Sequence, residues 1–188
     1  MTARDMTAGE MSADGELLRQ VRALRDREEL RELHMRYSMA IDDRRIHDLV
    51  ACFAPDGQLG HDDAAVSGHD AIGTFYTERL AQYGPTFHYP HGSLYELDGD
   101  VATGTILGHS ELAIDGAMYQ VALRYVDDYV RDDRRWAIAR RRIRTLYFSP
   151  VADLPEIFAD EFRLRWPGTP RRADLPEGEA SWNEFHDR

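Results

Sequence analysis

The segment Thr86-Phe-His-Tyr-Pro-His-Gly-Ser93 puts His88 at the head of a run of alternating residues, and the acidic pair Asp42-Asp43 closes the helical half before it. A histidine takes and returns a proton near neutral pH because its unperturbed pKa is about 6.5. A carboxylate bonded to one ring nitrogen fixes the tautomer and stabilises the imidazolium that forms. Residues far apart in the chain but both at element ends can meet in one cavity, so Asp42 and His88 are the candidate pair. Asp43 can equally be the inward carboxylate. Tyr37 reads either as a core aromatic or as a hydroxyl donor to substrate, and His109 either as a satisfied sheet residue or as a second proton donor from the opposite wall.

Other chemistries fit less well. His88 with His91, or His61-Asp-Asp63 with His69, invites a metal, but zinc needs three or four converging ligands and no helix aligns histidines across Pro90. No metal is expected. No glycine-rich phosphate loop follows a strand and no Gly-x-Ser-x-Gly elbow occurs, which disfavours nucleotide binding and serine hydrolysis. A net charge of -11 argues against nucleic acid as a partner. The exception is Arg140-Arg-Arg-Ile-Arg144, read as a strand edge paired with surface Asp and Glu, or as a positive group on the substrate side through Arg144. Cys52 is the single cysteine and sits in the apolar run Leu49–Phe53, where an inert buried thiol is expected. There is no apolar stretch of signal-peptide or membrane-spanning length, so the expected setting is cytoplasmic, without a membrane partner.

The elements that must position these groups follow from periodicity. Residues 1–14 lack it and read as a flexible leader. From Gly15 to Ile41 apolar residues fall at Leu17, Val21, Leu24, Leu30, Leu33, Tyr37 and Ile41, one face of a helix. His47–Phe53 predicts a short helix closed by Ala54-Pro-Asp-Gly57, and a third helix runs from Asp70, as its N-cap, to about Tyr83. Brief strands are expected at Gln58–His61 and Ala65–Ser67. From Phe87 the period becomes two, with Ser93–Leu97, Ala102–Ile114, Met118–Val130 and Arg135–Tyr147 separated by Asp98-Gly-Asp, Asp115-Gly and Arg131-Asp-Asp-Arg turns. Along the third strand Tyr119, Val121, Leu123, Tyr125 and Tyr129 share a parity that Asp127 interrupts. The expected fold is α+β, with helices on one face of a curved antiparallel meander. Residues 15–150 form this domain, and 151–188 form an extended arm that Trp166 and Trp182 tie to the body or to a second subunit.

Tyr37-Ser-Met-Ala-Ile-Asp42, Leu49–Phe53 with Ala54-Pro-Asp56, the histidine at a strand start, Leu97-Asp-Gly-Asp-Val-Ala-Thr-Gly104 and Arg135-Trp-Ala-Ile-Ala-Arg140 occur in an order that resembles the SnoaL-like branch of the nuclear transport factor 2-like superfamily. The resemblance covers residues 20–148. It implies a cone-shaped α+β barrel, three N-terminal helices on a curved sheet, enclosing an apolar pocket and working without metal or organic cofactor. In dehydratase and dehydrochlorinase members an Asp near the end of the first helix orients a His at the start of a long strand, positions that match Asp42 and His88. Tyr37 matches a pocket tyrosine. The dehydrochlorinase pattern departs at Gly92, where those proteins carry Asn.

The function expected is a cofactor-independent lyase of dehydratase type on a hydrophobic cyclic molecule, with His88, Asp42 and Tyr37 catalytic and His109, Tyr119, Phe53 and Arg144 contacting substrate. An isomerase or polyketide cyclase would use the same pair. A non-catalytic binding or assembly module is the other class. A homo-oligomer, dimer or trimer, is expected.

Overall fold

A computed structural model describes residues 8–61 and 64–187. Helix α1 (Ala8–Asp42) is followed by α2 (Ile46–Val50), strands β1 (Phe53–His61) and β2 (Ala64–Ser67), and helix α3 (His69–Leu80). Four long strands come next: β3 (Thr86–Asp98), β4 (Val101–Ile114), β5 (Ala117–Asp132) and β6 (Arg135–Pro150). The tail carries a 3-10 turn, Val151–Glu156, and a last helix, α4 (Ala180–His186). The described strands make one sheet in the order β2-β1-β6-β5-β4-β3. All pairings are antiparallel except β1 with β6.

This is the expected α+β layering, with two differences in the sheet. It stays open, since β2 and β3 are edges, so the cone is a curved sheet covered by helices and not a closed barrel. Strand β1 begins at Phe53 and runs through Pro55-Asp-Gly57, which the sequence reads as a helix closure. Gly57 permits it: a Cβ there would sit 2.9 Å from both Ala54 O and Ile138 O, so only glycine lets β1 pass this close to β6. The β4–β5 turn, Asp115-Gly116, has φ of 49° and 78°, the type I′ geometry suited to twisted strands.

The helices differ as well. Only Leu30, Leu33, Tyr37 and Ile41 of the α1 stripe are buried, whereas Leu17, Val21 and Leu24 are 59%, 52% and 66% exposed. A 35-residue helix is about 50 Å long and overruns the sheet it packs on. It begins by Ala8, so residues 8–14 of the expected leader are helical, and residues 1–7 lie outside the described ones. Gly68 caps α3 by its backbone, with Ile72 N donating to Gly68 O at 3.0 Å, and Asp70 sits in the first turn with no capping bond. Among the described residues no helix is long and apolar enough to cross a membrane.

The main core joins Leu30, Tyr37 and Ile41 of α1, Ile72 and Tyr76 of α3, and Ile106, Tyr125, Tyr129 and Ile138 of the sheet. These strand residues define the inner face. A second inner cluster, Leu112, Ile114, Tyr119 and Val121, has Tyr83, Leu123, Phe148 and Trp166 packed against it. The tail is not extended throughout. It folds onto its own sheet, burying Ile157 against Ala122 and Tyr147 on the outer face.

Candidate active site

The end of α1 aims the carboxylate. Arg44 adopts φ 60°, and Arg45 N donates to Ala40 O at 2.8 Å while Arg44 N donates to Ile41 O at 3.1 Å, a Schellman closure with a non-glycine residue in the left-handed position. The Arg44 side chain offsets the strain by donating to Ile41 O, Gly84 O and Thr86 Oγ1, at 3.0, 2.5 and 2.7 Å. Helix end and start of β3 are thereby stapled together. Of the acidic pair, Asp42 turns inward to β3, and Asp43 stays 58% exposed beside Arg45.

Asp42 then meets three donors. Its Oδ1 lies 2.7 Å from His88 Nδ1 and accepts from Thr86 Oγ1 at 2.9 Å, and its Oδ2 accepts from His88 N at 2.9 Å. Burial alone pushes the Asp42 pKa up, but the hydrogen bond from the His88 ring, its charge, the backbone bond and Thr86 outweigh it, so the carboxyl is held below its usual range. An ionised Asp42 requires the proton on His88 Nδ1, which leaves Nε2 as the basic nitrogen. Among the described residues, Nε2 has no hydrogen-bond partner, and the ring is 16% exposed. A histidine oriented by a carboxylate, with its other nitrogen open, can act as a general base.

Strand register shows what that base faces. His88 pairs with Ser110, Ser110 with Val121 and Val121 with Phe148, one row of directly opposed residues across four strands and hence on one face. The adjacent row is Thr86, Leu112 and Tyr119. Tyr119 therefore shares the inner face with His88. Phe53 is buried in the main core beside Tyr37, with ring centroids 6.1 Å apart.

Tyr37 is 1% exposed, its hydroxyl hydrogen-bonded to that of Tyr76, and no hydrogen bond joins it to Asp42 or His88. His109 and Arg144 do not reach the site. Ser110 and Leu112 are the inward residues of β4, so the odd-numbered His109 lies on the outer face, where its Nδ1 is 2.6 Å from His91 Nε2. Arg144 pairs across from Arg124 on that outer face and is held by Glu179 at 2.7 Å and Asp174 O at 3.0 Å of the tail. The alternation that decides this is strict, but its phase was open until the helices showed which face they cover. His91 occupies a bulge between Pro90 and Gly92, so it leaves the His88 row. His69 Nε2 lies 3.0 Å from Phe53 O, and His61 is 3.9 Å from Asp174; Asp62 and Asp63 are outside the described residues.

A second polar constellation, absent from the sequence reading, lies in the main core. Arg141 is fully buried and donates through Nε and Nη2 to Asp127, the closest approach being 2.6 Å. Its Nη2 also donates to His34 Nδ1 at 2.9 Å. That forces the proton of His34 onto Nε2, which donates to Tyr129 Oη at 2.6 Å, and Tyr129 donates onward to Asp127 at 2.8 Å. The four side chains close a ring of hydrogen bonds. Burial, then the charge of Arg141, pushes the His34 pKa down to about 2, so it is neutral. Burial disfavours the Arg141 charge, but Asp127 more than offsets this and its pKa is raised well above the ordinary value. The guanidinium is sandwiched by Tyr37 and Tyr125, 4.1 and 4.2 Å from their ring centres. The sequence carried one sign of this: Asp127 occupies the inward parity of β5.

A groove of about 720 Å³ between α2 and α3 is lined by Ile46, His47, Val50, His69, Gly73 and Thr77 among others. It includes neither Asp42 nor His88. His47 on its rim has a side chain 99% exposed, so the groove offers no oriented base, and the chemistry points to the inner face instead.

An open curved sheet roofed by N-terminal helices, with the His of β3 against the end of α1, is the cone fold of the nuclear transport factor 2-like superfamily. Residues 22–142 match the SnoaL-like domain, and the chain belongs to that family. A relative is the uncharacterized protein Rv2910c of Mycobacterium tuberculosis, 32% identical over 128 residues, covering 64% of this chain and 86% of that protein. Among solved structures, a Novosphingobium aromaticivorans protein provisionally named a scytalone dehydratase superposes with a TM-score of 0.67 at 17% identity, covering 84% of this chain and 97% of that one. The hexachlorocyclohexane dehydrochlorinase LinA-type3 of Novosphingobium barchaimii gives 0.65 at 17% identity, covering 71% and 94%. At such identities these two share the fold.

Proposed function

We propose that the protein is a cofactor-independent lyase of dehydratase type acting on a hydrophobic cyclic molecule. The observation that carries this reading is the Asp42–His88 pair, 2.7 Å apart, with Nε2 open beside an inner face of Val121, Tyr119 and Phe148. The lyase and dehydrochlorinase names among the structural relatives agree with it. His88 Nε2 removes a proton from a carbon next to a carbonyl, and the C–H electron pair moves into an enolate. The enolate then expels the hydroxyl from the neighbouring carbon, and the imidazolium returns its proton to that oxygen, so one water leaves and one C=C bond forms. Asp42 keeps Nδ1 protonated throughout and stabilises the imidazolium. Return of the proton to another carbon of the same enolate would make the protein an isomerase, with a product of unchanged mass.

The first step can be read without knowing the natural substrate. 2-Tetralone, a bicyclic enolisable ketone, is incubated in D2O and deuterium at its α-carbon is followed by NMR. Wild-type protein is expected to exceed the buffer rate, and His88→Ala and Asp42→Asn to lose that excess. Equal rates for wild type and His88→Ala would refute the reading. Self-association belongs to the same proposal, because Leu17, Val21 and Leu24 of α1 and Phe87 and Leu94 of β3 are exposed. A monomer by light scattering would remove that part.

A further inference from the structure

The tail beyond the family-matched span sends one residue to the inner face. Trp166 packs against Phe148 at 4.7 Å and Tyr83 at 5.3 Å between ring centres, within the cluster that also holds Val121 and Tyr119. Phe148 is the fourth member of the row that starts at His88. Three inter-strand steps separate the two, about 14 Å. The base thus stands at one end of an apolar strip, and the indole at the other.

Trp166 is held as a fixed surface. Phe148 N donates to Arg163 O at 2.9 Å and Arg165 N donates to Phe148 O at 2.6 Å, so the tail adds a short parallel bridge to β6. Leu164 and Arg171 exchange backbone hydrogen bonds of 3.1 and 3.0 Å, closing a loop over residues 165–170 that contains Trp166, Pro167, Gly168 and Pro170. Arg163, 4% exposed, anchors the base of the loop through Leu146 O, Asp160 O, Leu175 O and Glu177. Arg79 lies 4.8 Å from the centre of the Trp166 ring. An indole only filling space would not need a double-stapled loop with two prolines to aim it.

We propose that Trp166 is the far wall of the substrate site and that it selects planar, fused-ring substrates, making the C-terminal arm the specificity element of this chain. The proposal rests on the lyase reading of Asp42 and His88, for it is the position of the base that makes the strip a substrate site. A flat ring system laid along the row puts one edge at His88 Nε2 and stacks its other end on the indole, where offset or edge contacts add to the burial of area. A single ring spans too little of the strip to touch both.

The test uses 2-naphthol, a flat analogue of the enol of 2-tetralone that cannot react further, and phenol as the one-ring comparison. The three indole N–H signals are assigned in 1H–15N spectra with Trp136→Phe, Trp166→Phe and Trp182→Phe. Addition of 2-naphthol to wild type is expected to shift the Trp166 signal and leave Trp182, on α4, in place. Trp166→Ala is expected to raise the Kd for 2-naphthol about tenfold, with that for phenol nearly unchanged. An unmoved Trp166 signal, or equal Kd values for 2-naphthol in wild type and Trp166→Ala, overturns the proposal. The signal shift needs no variant to remain folded when ligand is added. Should 2-naphthol shift Trp166 while 2-tetralone exchange stays at the buffer rate, the lyase reading falls and the wall stands.

Discussion

The protein contains two histidine–aspartate constellations, built from the same groups and suited to opposite ends. At the mouth, Asp42 touches His88 directly and the ring keeps one nitrogen open and 16% exposure. In the core, His34 and Asp127 are joined through Tyr129 and Arg141, and every ring nitrogen of His34 is engaged. A histidine with both nitrogens committed and its pKa pushed down to about 2 cannot take a proton in the working range. Whether such a pair is a reagent or a brace thus depends on whether a nitrogen is left over and whether a proton can reach it.

The largest expected effect lies at the mouth. His88→Ala should lower the 2-tetralone exchange rate by about 10²–10⁴-fold, the usual contribution of a general base, with Asp42→Asn close behind and both proteins folded. The same substitution logic at the core should act on stability instead. Arg141→Met leaves Asp127 buried and unpaired and should cost about 3–5 kcal/mol in denaturant unfolding, whereas Asp127→Leu with Arg141→Met together should cost less than Arg141→Met alone. If the double variant is the worse one, the ring is more than a charge-balanced brace.

A pH series separates the two histidines further. His34 is neutral when folded and takes a proton near pH 6.5 when unfolded, so the unfolded chain binds more protons between about pH 2 and 6.5 and acid favours it. Unfolding free energy should therefore fall by about 1.4 kcal/mol per pH unit below 6.5 from this group alone. His34→Gln should flatten that slope, and an unchanged slope would show that His34 is not held neutral. The smallest effect is expected from Arg144→Ala and His109→Ala, which lie on the outer face and should leave the exchange rate at the wild-type value. A drop with either would bring the outer face into the chemistry.

Much of the mouth was legible in the sequence. Asp42 at a helix end and His88 at a strand start are local features, and the family order of segments located both. What was not legible was the phase of the sheet. His109 was expected in the site from its parity with Leu107 and Glu111, yet an alternating strand looks the same in sequence whichever face is covered. Asp127 was seen as a break in an apolar parity; its partner Arg141 sat unremarked within an arginine run whose other members face outward or lie at strand edges. A guanidinium buried at a distance of fourteen residues from its carboxylate in the chain gives no local periodic signal.

The amino-acid sequence by itself determined the α+β class, the hairpin turns, the strand spans to within a few residues and the candidate pair, because these follow from periodicity, turn chemistry and short-range order. Only the tertiary structure decided that Asp42 and not Asp43 turns inward, that α1 overruns the sheet, that His109 and Arg144 face away, and that Trp166 returns to the row of His88. Each of those depends on which of two equivalent faces is covered by an element distant in the chain, and that choice is made by packing, where the burial of both partners enters together.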